Sequence, residues 1–350
     1  MSPDGPGASD FDELAREWDR SDMARVIAGM GSQVEFALGD PKFPDIVPDG
    51  VEEVLVVGMG GSALPVDILN DVLMEQLPRP IGVCRHYHLP PAETDRRLLI
   101  FSSFSGNTEE VIEPLTSVPV DAHGVAIITA GGRLASVGKQ RGYPTVLIPA
   151  VREPDGFQPR CASGYIVTYI ARLIGATGFA DVPFDKFRAL PHFLSGLELR
   201  EEGRRLARAL EGRIPIFYSD EGHSLSLART AKIKYNENAK RPAFFNALPE
   251  ANHNEMIGLS GANEQLAVVY LRDPESHPRV HQRFDIMRQV LTAPNRRFLE
   301  WEMPPGNRLE RVFATLMLTD WISYFSALAQ GVDPTPVALV EEFKRLLMES

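Results

Sequence analysis

Apolar residues in this chain fall into two rhythms. Residues 11–38 carry Leu14, Trp18, Met23, Val26 and Met30 near helical spacing, interrupted at Ser21-Asp22, a pair read as an N-cap. From residue 51 the pattern changes to unbroken Val/Ile/Leu runs separated by amphipathic stretches. Strands are predicted at 51–57, 81–85, 98–102, 125–129 and 145–148, with helices at 63–77, 109–115 and 134–140. Continuous apolar strands alternating with helices predict an α/β fold whose parallel sheet is covered on both faces.

A helix is expected from 162 to 174, and residues 175–191, with Gly, Asp and Pro, read as a linker. A charged helix at 193–210 then leads into a second α/β series. Its strands are predicted at 214–218, 265–271 and 298–301, and its helices at 223–238, 279–291 and 309–330. A last helix, 333–348, would take Asp333 as its cap and Pro334 as its first residue. The resulting division is an N-terminal helical segment (1–40), a first domain (41–175) and a second domain with the C-terminal helix (192–350). Residues 1–10, small and polar with Pro and Gly, are expected to be unstructured.

Length and composition narrow the functional classes. A chain of 350 residues suggests two domains, and 44% hydrophobic with 24% charged residues is ordinary for a soluble globular protein. A net charge of −11 argues against nucleic acid or an acidic membrane surface as partner, but not against a small anion held by local donors. Cys84 and Cys161 lie far apart without a CxxC pattern, which suggests neither zinc nor a disulfide framework and fits a reducing compartment. The first residues lack the basic and apolar regions of a signal peptide, and no run looks membrane-spanning. The expected location is the cytoplasm.

Polar, glycine-rich turns follow the first, third and fourth strands, where open α/β sheets bind ligands. Gly58-Met59-Gly60-Gly61-Ser62-Ala63 matches a relaxed dinucleotide fingerprint. However, the second strand ends in Cys84-Arg85-His86 with no acid for a ribose, so an NADP reading rests on Arg85 alone, and a tight turn competes with it. Ser103-Phe104-Ser105-Gly106-Asn107-Thr108 is more specific. Three hydroxyls at a helix start exceed what one cap requires and point to a phosphate cradle, with Ser62 nearby. Arg160, after Gln158-Pro159, is either a structural ion pair or a site residue. Lys344 falls beside Val337 and Val340 on the margin of an apolar arc. It either snorkels there or enters a site at the domain junction. Glu237 and His253 lie sixteen residues apart, flanked by Asn236, Asn238, Asn252 and Asn254. By themselves they make either a polar helix end with its loop or a hydrogen-bonded site.

In combination these stretches resemble one family. Gly58 to Ser62, the SxSGNT segment with Glu109-Glu110, the double glycine after Thr129, Gln158-Pro159-Arg160, NENAK at 236–240, NHNE at 252–255, and Val332 to Pro336 with the later Lys344 are similar to the bifunctional phosphoglucose/phosphomannose isomerases. The likeness runs from about residue 50 to the C-terminus. Leu64-Pro65-Val66 replaces small residues, Ala130 a frequent Ser, and 151–157 is slightly expanded. The resemblance implies two tandem SIS-type domains, each a parallel sheet with helices on both faces.

It also implies an aldose–ketose isomerase for glucose 6-phosphate or mannose 6-phosphate and fructose 6-phosphate. His253 would open the ring. Glu237 would move the proton between C2 and C1, Arg160 would stabilise the enediolate, and Lys344 would assist at sugar oxygens. Gly61, Ser62, Ser103, Ser105, Gly106 and Thr108 would hold phosphate and sugar, and Thr335 would act near C2. No metal or other cofactor is required. A homodimer is implied in which His253 completes the neighbouring subunit's site. Three rivals are a non-catalytic SIS-domain regulator, a glutamine-dependent hexosamine phosphate synthase and an NADP dehydrogenase. The acidic N-terminal segment, the lack of room for a glutaminase before residue 50 and the missing ribose acid weigh against them in turn.

Overall fold

The computed structural model describes residues 11–45, 50–119, 124–261, 265–291 and 297–349. The expectation for residues 1–10 lies outside them. The N-terminal helices are α1 (Phe11–Trp18), α2 (Met23–Ala28) and α3 (Met30–Gly39). Asp22 is not the cap expected of it, because it takes a left-handed backbone and makes no capping bond. The Asp19 carboxylate caps α2 instead, accepting from the N–H groups of Met23 and Ala24 at 2.7 and 3.0 Å. α1 and α2 pack on a long helix of the second half, and α3 on helices of the middle.

The first α/β unit runs β1 (Glu53–Gly58), α4 (Leu64–Val72), β2 (Gly82–Cys84), β3 (Arg97–Ser103), α5 (Glu109–Thr116), β4 (Val125–Thr129), α6 (Gly132–Arg141) and β5 (Thr145–Leu147). Its five described strands are parallel in the order β2-β1-β3-β4-β5. The order reverses between β1 and β3, so the turns after these two strands flank the crevice where such sheets bind ligands. α7 (Ser163–Ala176), which packs on α3 and α4, closes the unit.

The predicted linker is in part a helix. α8 (Phe184–Ser195) crosses Pro191, whose backbone lies against Gly31 of α3. Pro191 reads as a breaker, yet packing holds the helix through it; the chain breaks instead at 196–198, so the charged helix is only α9 (Leu199–Ala209).

The second unit is β6 (Ile214–Asp220), α10 (Leu225–Ala239), β7 (Phe244–Leu248), α11 (Ala251–Ser260), β8 (Leu266–Arg272), α12 (Pro278–Val290), β9 (Arg297–Glu302) and α13 (Arg308–Ala329). Its four described strands are parallel in the order β7-β6-β8-β9. Neither β7 nor α11 is predicted by the pattern. α13 opens with a capping box, in which Asn307 accepts from the Glu310 N–H and the Glu310 carboxylate accepts from that of Asn307. By length and apolarity α13 resembles a membrane span, but 94% of its apolar window is buried inside the protein. It is the central core helix, packed on α8, α9 and α10.

One apolar cluster joins the inner faces of both sheets through α7 and α13. Smaller clusters around Phe101 and Ile127, and around Tyr270 and Phe284, cover the outer faces. Both sheets are therefore packed on each side, as the unbroken apolar strands require. The last helix, α14 (Ala338–Glu349), starts five residues later than predicted. Asp333 does not cap it; its carboxylate accepts from the N–H of Thr335 at 2.9 Å and turns the chain there. Leu339, Val340, Phe343, Leu346 and Leu347 on α14 are exposed.

Candidate active site

The first turn, Gly60–Ser62, lies against a second short turn, Pro159–Cys161, that carries Arg160. Gly61 is required by this contact, since a Cβ there would lie 2.7 Å from the Arg160 nitrogen and 2.8 Å from the Pro159 carbonyl carbon. The glycine that looks like half of a nucleotide fingerprint thus seats an arginine. Ser62 is buried, and its Oγ accepts from the N–H of Phe104 at 3.1 Å, tying this turn to the hydroxyl-rich loop.

In that loop the Ser103 and Thr108 hydroxyls meet at 2.9 Å, and Ser103 Oγ accepts from the Gly106 N–H at 3.1 Å. Ser105 is exposed, and its Oγ accepts from the Asn107 N–H. Gly106, at φ +70°, passes so close to the next loop that a Cβ would lie 1.9 Å from the Gly131 oxygen. Thr108 precedes α5 in extended conformation without capping it, so its hydroxyl is not consumed by the helix terminus. Buried hydroxyls and the start of a helix together suit a phosphate dianion.

Arg160 is buried and is the best-held side chain of the site. Its Nε donates to Asn238 Oδ1 at 2.6 Å. Its Nη1 donates to Gln158 Oε1 and Glu237 Oε2, each at 3.3 Å. Its Nη2 donates to the carbonyls of Pro334 at 3.0 Å and Thr335 at 2.8 Å. Five acceptors match the five N–H groups of a guanidinium, so its plane is fixed. Its partner Glu237 has a third of its side chain exposed, so the ion pair opens to solvent on the carboxylate side. Asn238 also donates to Ser323 Oγ at 2.9 Å, and beneath it lies a buried Lys234–Asp320 ion pair between α10 and α13. Burial holds the Asp320 carboxyl above its ordinary range. Cys161, next to Arg160, is pushed up to about 11 by burial and is no nucleophile at neutral pH.

Thr335 lies in this network through its carbonyl, and its buried Oγ has no hydrogen-bond partner among the described residues. His253 and Lys344 are not brought to it within the chain. His253 sits exposed on α11, and no hydrogen bond or ion pair joins it to Arg160 or Glu237 among the described residues. Lys344 is exposed on α14 and pairs with Glu341 at 2.8 Å, so the packing face it is expected to border is itself open. Arg85, the one residue favouring NADP, is paired with Asp67 at 2.5 Å. Sequence reasoning misses three residues: Gln158 and Asn238, which orient Arg160, and Lys240, which donates to the carbonyls of Glu237 and Pro334. Asn238 and Lys240 belong to the same NENAK stretch as Glu237, which is the available signal.

Two tandem α/β units, each a parallel sheet flanked by helices, define a protein of the SIS-type fold. Residues 199–347 match the model of the bacterial phospho-glucose isomerase C-terminal SIS domain. The chain is 30% identical over 329 residues to a bifunctional phosphoglucose/phosphomannose isomerase of Caldicellulosiruptor bescii, covering 91% of this chain and 96% of that one. It is also 30% identical over 330 residues to the protein of the same name in Aquifex aeolicus, covering 93% and 98%. A solved hypothetical protein of Thermus thermophilus shares the fold, with a TM-score of 0.70 at 15% identity over 97% of this chain and 94% of that one. The chain belongs to the bifunctional phosphoglucose/phosphomannose isomerase family.

Proposed function

We propose that this protein interconverts glucose 6-phosphate, and mannose 6-phosphate, with fructose 6-phosphate. The observation that carries the reading is Arg160, fully hydrogen-bonded and set 3.3 Å from the partly exposed Glu237, beside the turns that bear the cradle. Ser62, Ser103, Ser105 and Thr108 hold the phosphate and orient the sugar, with Gly61 and Gly106 allowing the close backbone approaches. After ring opening Glu237 removes the proton from C2 and returns it to C1, giving a cis-enediolate between the two sugars. Negative charge gathers on the C1 and C2 oxygens, where a guanidinium that needs no reorganisation is most effective. Thr335 adds a hydroxyl near C2, where the two aldose epimers differ.

His253 faces solvent in the single chain, which supports its acting as the ring-opening group for a second copy in a homodimer with shared sites. Lys344, also exposed, requires the same kind of approach to reach sugar oxygens. The corresponding cellular setting is glycolysis and gluconeogenesis in the cytoplasm. Incubation with fructose 6-phosphate alone, in EDTA and without nucleotide, is expected to yield glucose 6-phosphate. Dependence on NADP, or binding without turnover, would replace this reading by the dehydrogenase or the sensor.

A further inference from the structure

We propose that Lys240 is a positioning residue for this reaction: its ammonium ties the 333–335 segment to the end of α10 and, through the Pro334 carbonyl, holds Arg160 against Glu237. The inference rests on the isomerase reading above and extends it to a residue with no assigned role.

Lys240 directly follows α10 with φ +55°. This left-handed position usually falls to glycine or asparagine, because a larger side chain crowds the backbone. The lysine side chain folds back over the helix end. Its Nζ donates to the Glu237 carbonyl at 2.5 Å and to the Pro334 carbonyl at 3.0 Å. The Pro334 oxygen also accepts from Arg160 Nη2 at 3.0 Å. One carbonyl dipole therefore lies between two cations, and Arg160 in turn reaches Glu237. Removing Nζ frees the 333–335 segment on one side, and with it two of the five acceptors that fix the guanidinium.

The charged groups acting on Lys240 are Arg160 from the turn before α7, Glu237 on α10 and Asp333 from the segment after α13. Lys240 is exposed as a residue, but desolvation of its ammonium against the helix end, and then Arg160, pull it down to about 8, while Asp333 and Glu237 act against this. The cation is thus present at neutral pH and is lost just above it. The clamp should loosen over the same range.

Three variants separate the ammonium from the backbone. Lys240→Met keeps the left-handed residue and removes Nζ, Lys240→Gly removes Nζ but relaxes the backbone, and Lys240→Arg keeps a cation that does not titrate. We expect Lys240→Met and Lys240→Gly each to lower kcat by roughly tenfold or more, with KM for fructose 6-phosphate changed less than about threefold. Lys240→Arg should keep most of the activity and lose the alkaline decline near pH 8. Hydrogen exchange of residues 332–337, read without substrate, should quicken in the Met and Gly variants and not in the Arg variant. Wild-type kcat in Lys240→Gly, an unchanged alkaline limb in Lys240→Arg, or unchanged exchange would each overturn the proposal. A wild-type protein inert toward every hexose 6-phosphate would instead remove the isomerase reading, and the exchange measurement would still decide the clamp.

Discussion

Replacing Arg160 by lysine keeps the charge and removes the fork, so it tests the fixed guanidinium directly. Arginine offers five N–H groups and each has an acceptor here, whereas lysine offers three. At least two acceptors must lose their donor. Glu237 and Gln158 lie toward solvent and can be rehydrated, but Asn238 is buried. A buried polar group left without its partner costs about 1–3 kcal/mol, and lysine's single ammonium cannot span Asn238 on one side and the Pro334 and Thr335 carbonyls on the other, so at least one buried loss is expected, about 1–3 kcal/mol. Set against a total stability of about 5–15 kcal/mol, the variant should still fold but melt early. Its effect on turnover should be separate. Lysine keeps the charge but not its fixed position beside Glu237, and losing such preorganised stabilisation of a developing oxyanion should cost on the order of 100-fold in kcat. Thermal unfolding by circular dichroism and a coupled assay with fructose 6-phosphate give the two quantities on one sample. A lower Tm with wild-type kcat would reduce Arg160 to a structural tie between the domains, and an unchanged Tm would refute the account of its five bonds.

Two further outcomes follow from the geometry. Asp71 on α4 accepts from the Ser226 N–H of α10 at 3.1 Å, and burial lifts its carboxyl to about 7. The native state therefore keeps a proton between about pH 4 and 7 that the unfolded chain releases, so stability falls as pH rises through that window. Asp71→Asn should raise Tm at pH 8, by up to about 4 kcal/mol of stability, and leave it nearly unchanged at pH 4; equal gains at both values would contradict this. His253→Ala should leave Tm unchanged, because the side chain is exposed, yet abolish most activity. Co-expressed in equal amounts with Glu237→Gln, it should recover about a quarter of wild-type activity if each site draws on two chains of a symmetric dimer. No recovery would place both residues in one chain's site.

The first sheet was legible because each strand is a continuous apolar run bounded by glycine or polar turns, and the reversal between β1 and β3 puts two of those turns together. The second unit was harder to read. β7 is five residues long between Pro242 and Pro249, and the first turn of α11 carries Asn252 and Asn254, which are poor helix formers. Periodicity also cannot tell that Pro191 is carried through α8 by packing against Gly31. Within the site, SxSGNT and NENAK were visible as clusters of unusual composition. What joins Glu237 to Arg160 is a contact between residues 77 positions apart, and local pattern carries no information about it. The rule that ligands lie at strand carboxyl ends points to the turns of the first unit and does not reach Glu237. Glu237 sits near the last turn of α10, which runs back toward the strand amino ends. Lys344 shows a different limit: the helical arc is present on α14, but none of the described residues covers it.

The central claim is that Glu237 carries the proton between C2 and C1. The most direct measurement is deuterium incorporation at C2 of glucose 6-phosphate when fructose 6-phosphate is incubated in heavy water with the wild-type protein and with Glu237→Gln. The account predicts label at C2 with the wild type. With the variant it predicts neither label nor interconversion, while fructose 6-phosphate still binds with an affinity close to that of the wild type. Interconversion at a near-normal rate in Glu237→Gln, labelled or not, would contradict it.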